Sequence, residues 1–467
     1  MDAYLFIDFG STYTKLTLID IENEEIIATE KAYTTVETDV TIGYKEALKR
    51  LNGKLNSEIN IVKKLACSSA AGGLKIIAIG LVPELTAEAA KRAALGAGAR
   101  VIKTYSHNLN TEEVLEIKNS NADIILLAGG TDGGNIQCIS HNAWMLEKYH
   151  VTIPIVIAGN KSCNDEIIAI FEDKVEYYIT ENVMPTLNHI NVEPAREVIR
   201  SIFMKQIVNA KGMENVESSI SEILMPTPAS VLKAAQVLSM GSRDEDGIGD
   251  LVVIDIGGAT TDIHSIGEGA PTNQAVVMRG LEEPFSKRTV EGDLGMRYSA
   301  LAVLEAAGAR LMKKYLNILD YNLEDEFQKR YENTNFVSQE EKDIKFDEAM
   351  AKICADIAMK RHAGVIESVY TPMGMMHSQE GKDLTELPFV IGTGGILVNS
   401  KDPLSILEAS QFNIAEPTSL KPKHPKYLID KNYILSAMGL LAMVDENMAV
   451  RMLKKYIIEA GGNKNVD

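Results

Sequence analysis

The stretch Asp255-Ile256-Gly257-Gly258-Ala259-Thr260-Thr261-Asp262 carries the strongest structural signal in this chain, and its pattern occurs a second time at the N-terminus. An apolar run, 251–254, precedes it and an alternating run, 263–266, follows it, so two strands joined by a tight turn are predicted. The N-terminal copy is Asp8-Phe9-Gly10-Ser11-Thr12-Tyr13-Thr14-Lys15, between the runs 4–7 and 16–19. Each copy therefore places an aspartate at the end of a buried strand, before glycine and hydroxyl residues.

These residue types are suited to holding a phosphate group. Glycines let the backbone approach a phosphate closely, a tight hairpin presents several N–H donors, and hydroxyls add further donors. The candidate phosphate-binding residues of the two loops are Gly10, Ser11 and Thr12, and Gly257, Gly258, Thr260, Thr261 and Asp262. Two such loops predict two similar domains that bind one triphosphate from opposite sides. For either loop alone, a hairpin turn without a ligand is the alternative.

The two strand-end carboxylates, Asp8 and Asp255, are the candidate magnesium-binding and catalytic residues. Mg²⁺ binds few carboxylates and keeps most of its waters, so an aspartate at the end of a buried strand can hold the ion through water. The alternative is a carboxylate that only caps its own turn.

Composition limits the class of protein. With 467 residues the chain exceeds the size of one hydrophobic core, so two to three domains are expected. Its 65 acidic residues outnumber its 47 basic ones, for a net charge of −18, which argues against nucleic acid or an anionic membrane as the main partner. The scattered cysteines (Cys67, Cys138, Cys163 and Cys354) disfavour disulfide, zinc and iron–sulfur sites and fit a reducing cytoplasm. Neither a signal peptide nor an apolar run of about 18 residues is evident, so a cytoplasmic protein is expected.

Alternating strand and helix patterns predict mixed α/β layers. The polar, glycine-rich turn 241–249 is the predicted boundary between a first domain, 1–240, and a second domain, 250–467. Residues 294–369 are predicted to be mostly helical, which gives the second domain a helical insertion at 300–370. Within it, the charged stretch 324–348 is predicted to be a solvated helix face.

Taken in order, these motifs resemble those of the actin-like ATPase superfamily, which includes actin, DnaK-type chaperones, sugar kinases and corrinoid-enzyme reactivases. The five motifs correspond to a first phosphate loop 8–12, a first connecting helix 226–232, a second phosphate loop 255–262, an adenosine loop 392–395 and a second connecting helix 435–440. The resemblance implies an α/β fold with two actin-like (ribonuclease H-like) domains around a nucleotide cleft, and inserted subdomains. It implies ATP and Mg²⁺ as cofactors.

The resemblance assigns roles to two further groups of residues. Lys15 stands at the spacing from Asp8 at which actin places a phosphate-contacting lysine, although an exposed lysine without a ligand is the alternative. The adenosine loop is expected to let its backbone lie against adenine and ribose, unless it is only a helix-start turn that needs positive φ. Its residues are Gly392, Thr393, Gly394 and Gly395.

More narrowly, the chain resembles the GlmL family, also called MutL and unrelated to the mismatch-repair protein of that name. The residues that carry this are the two loops, the segment Ala128-Gly129-Gly130-Thr131-Asp132-Gly133-Gly134-Asn135 and the segment 289–297. The resemblance implies an ATPase that removes damaged cofactor from an adenosylcobalamin-dependent mutase such as glutamate mutase. The expected partner is therefore the mutase, and the sequence predicts no oligomeric state.

Two positions decide how hydrolysis is expected to proceed. Asp132 is a candidate catalytic residue that orients the attacking water, contacts the metal or faces the mutase, unless it is only part of a turn. DnaK-type chaperones carry a water-placing glutamate before the Pro-Thr of the first connecting helix, where this chain has Met225. Because methionine cannot orient water, hydrolysis must depend on another group, such as Asp132 or Glu222, or be slow.

Three other functions share parts of this pattern. A small-molecule kinase of the sugar or acetate type is the main alternative, but it needs a general base over an acceptor, and no aspartate here stands out as one. A filament-forming actin-like protein and an iron–sulfur activator of acyl-CoA dehydratases are the others. The missing amphipathic N-terminal helix argues against a membrane-bound filament, and the scattered cysteines argue against the activator.

Overall fold

The computed structural model describes residues 1–10, 12–34, 40–55, 59–69, 74–172, 174–208, 222–273, 276–317, 320–371 and 374–462. Their contacts divide the chain into two compact units, Met1–Ser230 with Gly280–Pro284, and Val231–Arg279 with Phe285–Asp467. The division falls within a helix that precedes the glycine-rich turn 241–249. The domain limits 1–240 and 250–467 stay a prediction.

The first unit contains two sheets. Its strands are β1 (Asp2–Phe9), β2 (Tyr13–Asp20), β3 (Glu25–Tyr33), β4 (Asn60–Ser68), β5 (Lys75–Gly80), β6 (Arg100–Ser106), β7 (Ile124–Leu127), β8 (Ile155–Ile157), β9 (Tyr177–Ile179) and β10 (Glu222–Pro226). Its helices are α1 (Val40–Lys54), α2 (Glu88–Gly96), α3 (Thr111–Lys118), α4 (Gln137–Lys148), α5 (Asn164–Phe171), α6 (Glu193–Val208) and the start of α7 (Thr227–Met240).

Strand order distinguishes the two sheets of this unit. The first has the order β10-β4-β1-β2-β3, in which β1, β2 and β3 are antiparallel and β4 and β10 run parallel to β1. The second has the order β6-β5-β7-β8-β9 and is parallel throughout. Its inner strands β5, β7 and β8 are short, buried, mostly apolar runs, as is typical of parallel strands with both faces covered.

The second unit is also built on two sheets. Its strands are β11 (Leu251–Ile256), β12 (Thr261–Ile266), β13 (Val276–Met278), β14 (Ser286–Glu291), β15 (Val365–Thr371), β16 (Gly374–Glu380), β17 (Phe389–Thr393), β18 (Lys426–Ile429) and β19 (Ile458–Glu459). Its helices are the rest of α7, then α8 (Ala300–Tyr315), α9 (Leu323–Glu332), α10 (Glu341–His362), α11 (Gly395–Asn399), α12 (Pro403–Leu407), α13 (Leu435–Leu441) and α14 (Glu446–Tyr456).

The larger sheet of the second unit repeats the strand order of the first sheet of the first unit. Its order is β14-β12-β11-β17-β18-β19, with β12 and β14 in an antiparallel run with β11, and β17 and β18 parallel to it. In both sheets a hairpin and a third antiparallel strand lie on one side of the first strand, and parallel strands lie on the other. The predicted mixed α/β fold is confirmed, and this repetition is what the resemblance to the actin-like superfamily implies.

The helical insertion differs from its prediction in two ways. It consists of α8, α9 and α10, but β15 begins at Val365, so the helical region ends earlier than residue 369. The charged stretch 324–348 is not simply a solvated face, because Arg330 is fully buried and pairs with Asp343, Asp347 and Glu326. A buried arginine is tolerated only with such partners.

None of the helices in the described part of the chain has both the length and the apolar character needed to cross a membrane.

Candidate functional site

The first hairpin loop lies at the carboxyl end of β1 and is closed by its glycine. The Gly10 N–H donates to the carbonyl oxygen of Tyr13 at 3.2 Å. A Cβ on Gly10 would lie 2.6 Å from that oxygen, so a larger residue would force the turn open. Thr12 is half-buried in the loop. The candidate Ser11 lies outside the described residues.

Asp8 is buried, with 5% of its surface exposed, and side chains from three elements surround its carboxylate. It accepts hydrogen bonds from Thr227 Oγ1 at 2.7 Å, at the start of α7, and from Lys15 Nζ at 3.3 Å, on β2. The Cys67 thiol, on β4, donates to Asp8 Oδ1 at 3.6 Å. Burial raises the pKa of this thiol well above its usual value, and the charge of Asp8 raises it further. Cys67 therefore stays protonated and acts as a donor to Asp8.

The parallel strands β1, β4 and β10 bring their carboxyl ends to one edge of the sheet. Asp8 is in register with Cys67, which is in register with Met225. Met225 is buried, so an apolar thioether stands at this edge beyond Cys67, two strands from the candidate magnesium-binding aspartate. The backbone of Glu222 lies at the other end of β10, opposite Leu65, and its side chain is outside the described part of the structure. Met225 thus supplies no acceptor for a water molecule at this edge of the sheet.

The second loop closes in the same way as the first. The Gly257 N–H donates to the carbonyl oxygen of Thr260 at 2.9 Å, as Gly10 does to Tyr13. Each of these glycines stands two residues after the strand-end aspartate. The sequence repeat that predicted two similar hairpins is therefore also a repeat of backbone geometry.

Strand pairing shows where the two copies differ. Asp8 lies opposite Lys15 on the neighbouring strand, and Asp255 lies opposite Asp262. Asp262 is buried and forms an ion pair with Arg288 of β14, whose Nη2 and Nε lie 2.5 Å and 2.9 Å from Asp262 Oδ1. The residue opposite the strand-end aspartate is therefore a cation, Lys15, in the first copy and an anion, Asp262, in the second. Arg288 of β14 neutralises Asp262.

The segment 296–299, which precedes α8, holds the carbonyl groups of the second loop. The Gly257 oxygen accepts from the backbone N–H of Met296 at 3.0 Å, and the Gly258 oxygen accepts from Arg297 N and Tyr298 N at 2.8 Å and 2.9 Å. The Ala259 oxygen accepts from Ser299 Oγ at 2.7 Å. Three consecutive carbonyl groups are thus fixed on the protein side of the loop.

The donors of the same loop are placed differently. Within the described residues, the N–H groups of Gly258 and Ala259 have no hydrogen-bond acceptor, and both residues are half-buried. Thr260 Oγ1 donates to Asp262 Oδ2 at 2.9 Å, and Thr261 Oγ1, fully buried, donates to the Leu294 oxygen at 2.6 Å. The backbone amides, rather than the threonine hydroxyls, are thus the groups of this loop that are available to an anion.

The adenosine loop is placed beside Asp255. Thr393 ends β17 in register with Asp255 on β11, and Gly394 follows with φ 99° before α11 begins at Gly395. A Cβ on Gly394 would lie 2.3 Å from the carbonyl oxygen of Ile256. Only glycine therefore allows the adenosine loop to lie against the end of β11.

Sequence reasoning missed Asp430, which links the adenosine loop to the second connecting helix. It is buried and accepts from Thr393 Oγ1 at 3.0 Å, and from the backbone N–H groups of Ile434 and Leu435 at 2.8 Å and 3.1 Å. The last two bonds cap the N-terminus of α13. The available signal was an aspartate after a short apolar strand, without the glycines that mark the other loops.

Asp132 lies elsewhere, in the loop that follows β7 in the parallel sheet of the first unit. Its Oδ1 accepts from Asn182 Nδ2 at 3.0 Å and from Lys161 N at 3.2 Å. Asn160 ties the same loop by accepting from the Gly133 N–H at 3.0 Å. Among the described residues, no hydrogen bond or ion pair joins Asp132 to Asp8. The structure thus shows an ordered loop around Asp132, and the catalytic role of this residue stays a prediction.

Two more carboxylates flank the second loop. Arg361 Nη1 and Nη2 bind the two oxygens of Asp293 at 2.7 Å and 2.9 Å, and Nη1 also binds Glu291 at 2.6 Å. The hydrogen bonds of Arg361 lower the pKa of Asp293, whereas burial raises the pKa of Glu291. Both carboxylates are therefore engaged by one arginine.

Two copies of one α/β sheet, each with an aspartate–glycine hairpin at the carboxyl end of its first strand, define a duplicated protein of the actin-like type. The chain belongs to the MutL protein family, whose model matches residues 4–457. Protein MutL of Clostridium tetanomorphum is 62% identical over 461 residues, which cover 98% of this chain and 100% of that protein.

Similar solved structures are far more distant. A gluconate kinase from Lactobacillus acidophilus is 10% identical, covers 98% of this chain and 92% of its own, and has a TM-score of 0.36. A glycerol dehydratase reactivase is 10% identical, covers 95% of this chain and 99% of its own, and has a TM-score of 0.34. At these scores neither structure supports an argument about this chain.

Proposed function

We propose that this protein is an ATPase that binds Mg·ATP through its two aspartate–glycine loops and reactivates an adenosylcobalamin-dependent mutase. One observation carries the nucleotide half of the proposal. Two hairpins in separate units share a strand-end aspartate, a closing glycine N–H bond and a place at the carboxyl edge of the same strand order. Duplicated sheets need not share a loop chemistry unless both loops serve one kind of ligand.

The residues present fit a triphosphate. The N–H groups of Gly258 and Ala259 are exposed enough to reach a ligand and have no acceptor in the described chain. Because three carbonyl groups of this loop are fixed by residues 296–299, its dipoles are preorganised to favour an anion. Lys15, 22% exposed in its side chain, adds a positive charge beside the first loop.

The residues also fit magnesium. No three acidic, histidine or cysteine side chains of the described residues form a metal-binding group. Mg²⁺ does not require one, because it takes one or two carboxylates together with phosphate oxygens and retains its waters. Asp8 and Asp255 would supply those carboxylates, and the bound ion would offset phosphate charge.

Three side chains of this protein hold the Asp8 carboxylate in place. Thr227, Lys15 and Cys67 all donate to its carboxylate and so fix its orientation. Met225 stands beyond Cys67, two strands from Asp8, and offers a thioether there instead of a carboxylate, so it gives a water molecule no help in losing a proton. We therefore expect slow hydrolysis, which suits a protein whose nucleotide state times its action on a partner.

The client half of the proposal rests on family membership and on the resemblance described above. Damaged corrinoid cofactor has to leave the mutase before intact adenosylcobalamin can bind. An ATPase that changes conformation with its nucleotide is suited to drive that exchange. Glutamate mutase is the first client to test.

The deciding experiment measures ATP hydrolysis with Mg²⁺, alone and with glutamate mutase inactivated by hydroxocobalamin. The variants are Asp8→Asn and Asp255→Asn, and Asp250→Asn is the matched control because Asp250 is an exposed acid just before β11. We expect client-stimulated hydrolysis and recovered mutase activity after adenosylcobalamin is added. Each loop variant should lose at least about tenfold in ATP affinity or rate, as for the loss of a group that holds a bound metal ion through its ligands, and the control should not.

Different failures separate the parts of the proposal. ATP binding without stimulation by glutamate mutase would remove that client and call for other corrinoid mutases. An unchanged ATP affinity in both aspartate variants would overturn the loop assignment. Phosphate transfer to a small acceptor instead of water would support the kinase alternative.

A further inference from the structure

The side chain of Arg297 links the second phosphate loop to the helical insertion. Its backbone N–H holds the Gly258 oxygen at 2.8 Å. Its guanidinium leaves the loop in the direction of the insertion, where Nη2 donates to the Phe336 carbonyl oxygen at 2.9 Å and to Asp347 Oδ2 at 2.9 Å. The same residue therefore contacts the loop with its main chain and the insertion with its side chain.

On the insertion side, Arg297 meets a buried ionic network. Asp347, on α10, is 3% exposed and accepts from Arg330 Nε at 2.5 Å and from Ser338 Oγ at 2.7 Å. Arg330, on α9, is fully buried and also binds Glu326 Oε2 at 2.7 Å. Asp347 thus forms ion pairs with two arginines: Arg330 of the insertion and Arg297 of the segment that braces the phosphate loop.

The segment between α9 and α10 completes this connection. Phe336 offers its carbonyl oxygen to both Nε and Nη2 of Arg297, and its ring lies 5.8 Å from the Arg297 guanidinium carbon and 5.4 Å from that of Arg330. Cation–π contacts of this kind add to the hydrogen bonds. The residues between the two helices are therefore ordered by the arginine that holds the loop.

We propose that Arg297 is a positioning residue for the second phosphate loop, and that through it nucleotide binding at the loop and the order of the insertion segment 333–347 depend on each other. This proposal rests on the function proposed above for the identity of the ligand. Its structural half, the mutual ordering of loop and insertion, does not. Because coupling between two sites is reciprocal, whatever orders the segment 333–347 also strengthens nucleotide binding.

The test is hydrogen exchange followed by mass spectrometry on the full chain, with and without Mg·ATP. Peptides covering 255–262, 294–300 and 333–347 report the loop, its brace and the insertion segment. Variants Arg297→Gln and Arg297→Lys are compared, since lysine keeps the charge but lacks the planar guanidinium that donates from both Nε and Nη2 to Phe336. The matched control is Lys314→Gln. Lys314, on α8, pairs with Asp356, which lies on α10 as Asp347 does, and this pair does not contact the loop.

Without nucleotide, Arg297→Gln should speed exchange in both the 294–300 and 333–347 peptides by roughly tenfold, the effect of losing a charge-assisted hydrogen bond. Arg297→Lys should have a smaller effect, and the control should have none. In the wild type, Mg·ATP should slow exchange in 255–262 and also in 333–347. In Arg297→Gln, Mg·ATP should still slow exchange in 255–262 but should no longer slow it in 333–347.

The outcomes distinguish this proposal from the one on which it rests. If Mg·ATP changes no peptide of the wild type, the proposed nucleotide site is wrong, while the nucleotide-free comparison still decides the structural half. If ATP protects 255–262 but not 333–347, the loop binds nucleotide and the coupling is refuted. Exchange in Arg297→Gln that matches the wild type in both peptides would refute the positioning role.

Discussion

Acid should destabilise the second unit through one buried histidine, and the size of the effect follows from its surroundings. His264 lies on β12 with no exposed surface, and neither ring nitrogen has a hydrogen-bond partner among the described residues. Burial lowers its pKa to about 3, and the nearby charge of Arg288 lowers it further than the charge of Asp262 raises it. The imidazole is therefore neutral in the folded chain at every pH at which the protein is handled.

The sign and magnitude follow from proton linkage. The unfolded chain takes up a proton near pH 6.5 and the folded chain near pH 3, so stability is full above about pH 7 and is lost as the pH falls through this window. With these values, the free energy of unfolding decreases by about 2 kcal/mol between about pH 8 and about pH 5. Burial also lowers the pKa of His362, which adds to the loss in the same direction.

His264→Leu isolates the contribution of the one residue. Leucine cannot be protonated and leaves no unpaired ring nitrogens, so the variant should lose about 2 kcal/mol less than the wild type over the same pH interval. Urea titrations read by pulsed hydrogen exchange suit the measurement, since peptides from β12 report the second unit separately. His424→Leu is the control, because His424 is exposed. If the free energy of unfolding falls by the same amount between these pH values in the wild type and in His264→Leu, the argument from burial is wrong.

Three shorter predictions concern the candidate site. Lys15→Met removes the cation that lies 3.3 Å from Asp8, so ATP affinity should fall by about tenfold in a binding titration. The melting temperature should change little, because Thr227 and Cys67 still donate to Asp8 and Lys15 itself is partly exposed; a large drop in melting temperature would contradict this. Gly394→Ala should destabilise the chain by at least about 1 kcal/mol, because φ is 99° and the new Cβ would lie 2.3 Å from the Ile256 oxygen; unchanged urea midpoints would contradict it. Cys67 should react with a thiol reagent far more slowly in the folded than in the unfolded protein, because it is buried and its pKa is raised; equal rates would count against the donor role.

Sequence reasoning succeeded where a single periodicity governed a segment. Apolar spacing in the sequence predicts the helices Asn164–Phe171 and Glu193–Val208 and the strand Ile124–Leu127, and the structure has all three with these bounds. For α3 the sequence predicts Thr111 as the cap, but the structure shows that Asn110 caps the helix and that Glu113 completes a capping box. Local signals of this kind depend on neighbours in the chain and are visible in one sequence.

Features that depend on tertiary partners were not predictable. The strand Ser286–Glu291 has no apolar alternation in its sequence. Its charged residues are used by tertiary partners instead: Arg288 pairs with Asp262, and Lys287 donates to the His362 oxygen. The burial of Arg330 was hidden for the same reason, since its acidic partners make the stretch look solvated. Likewise, the engagement of the Thr261 hydroxyl with Leu294 could not be known before the fold.

The opposite charges of Lys15 and Asp262 mean that the duplicated hairpins cannot be exchanged for one another. Each hairpin fits its own neighbours, since Lys15 pairs with Asp8 within the first hairpin and Asp262 of the second pairs with Arg288 on the next strand. Moving either hairpin into the other frame would bring two acids together in one half and leave a buried arginine facing a lysine in the other. The two sheets therefore share their backbone pattern and the strand-end aspartate, whereas the charges around Lys15 and Asp262 differ and make each hairpin specific to its own half.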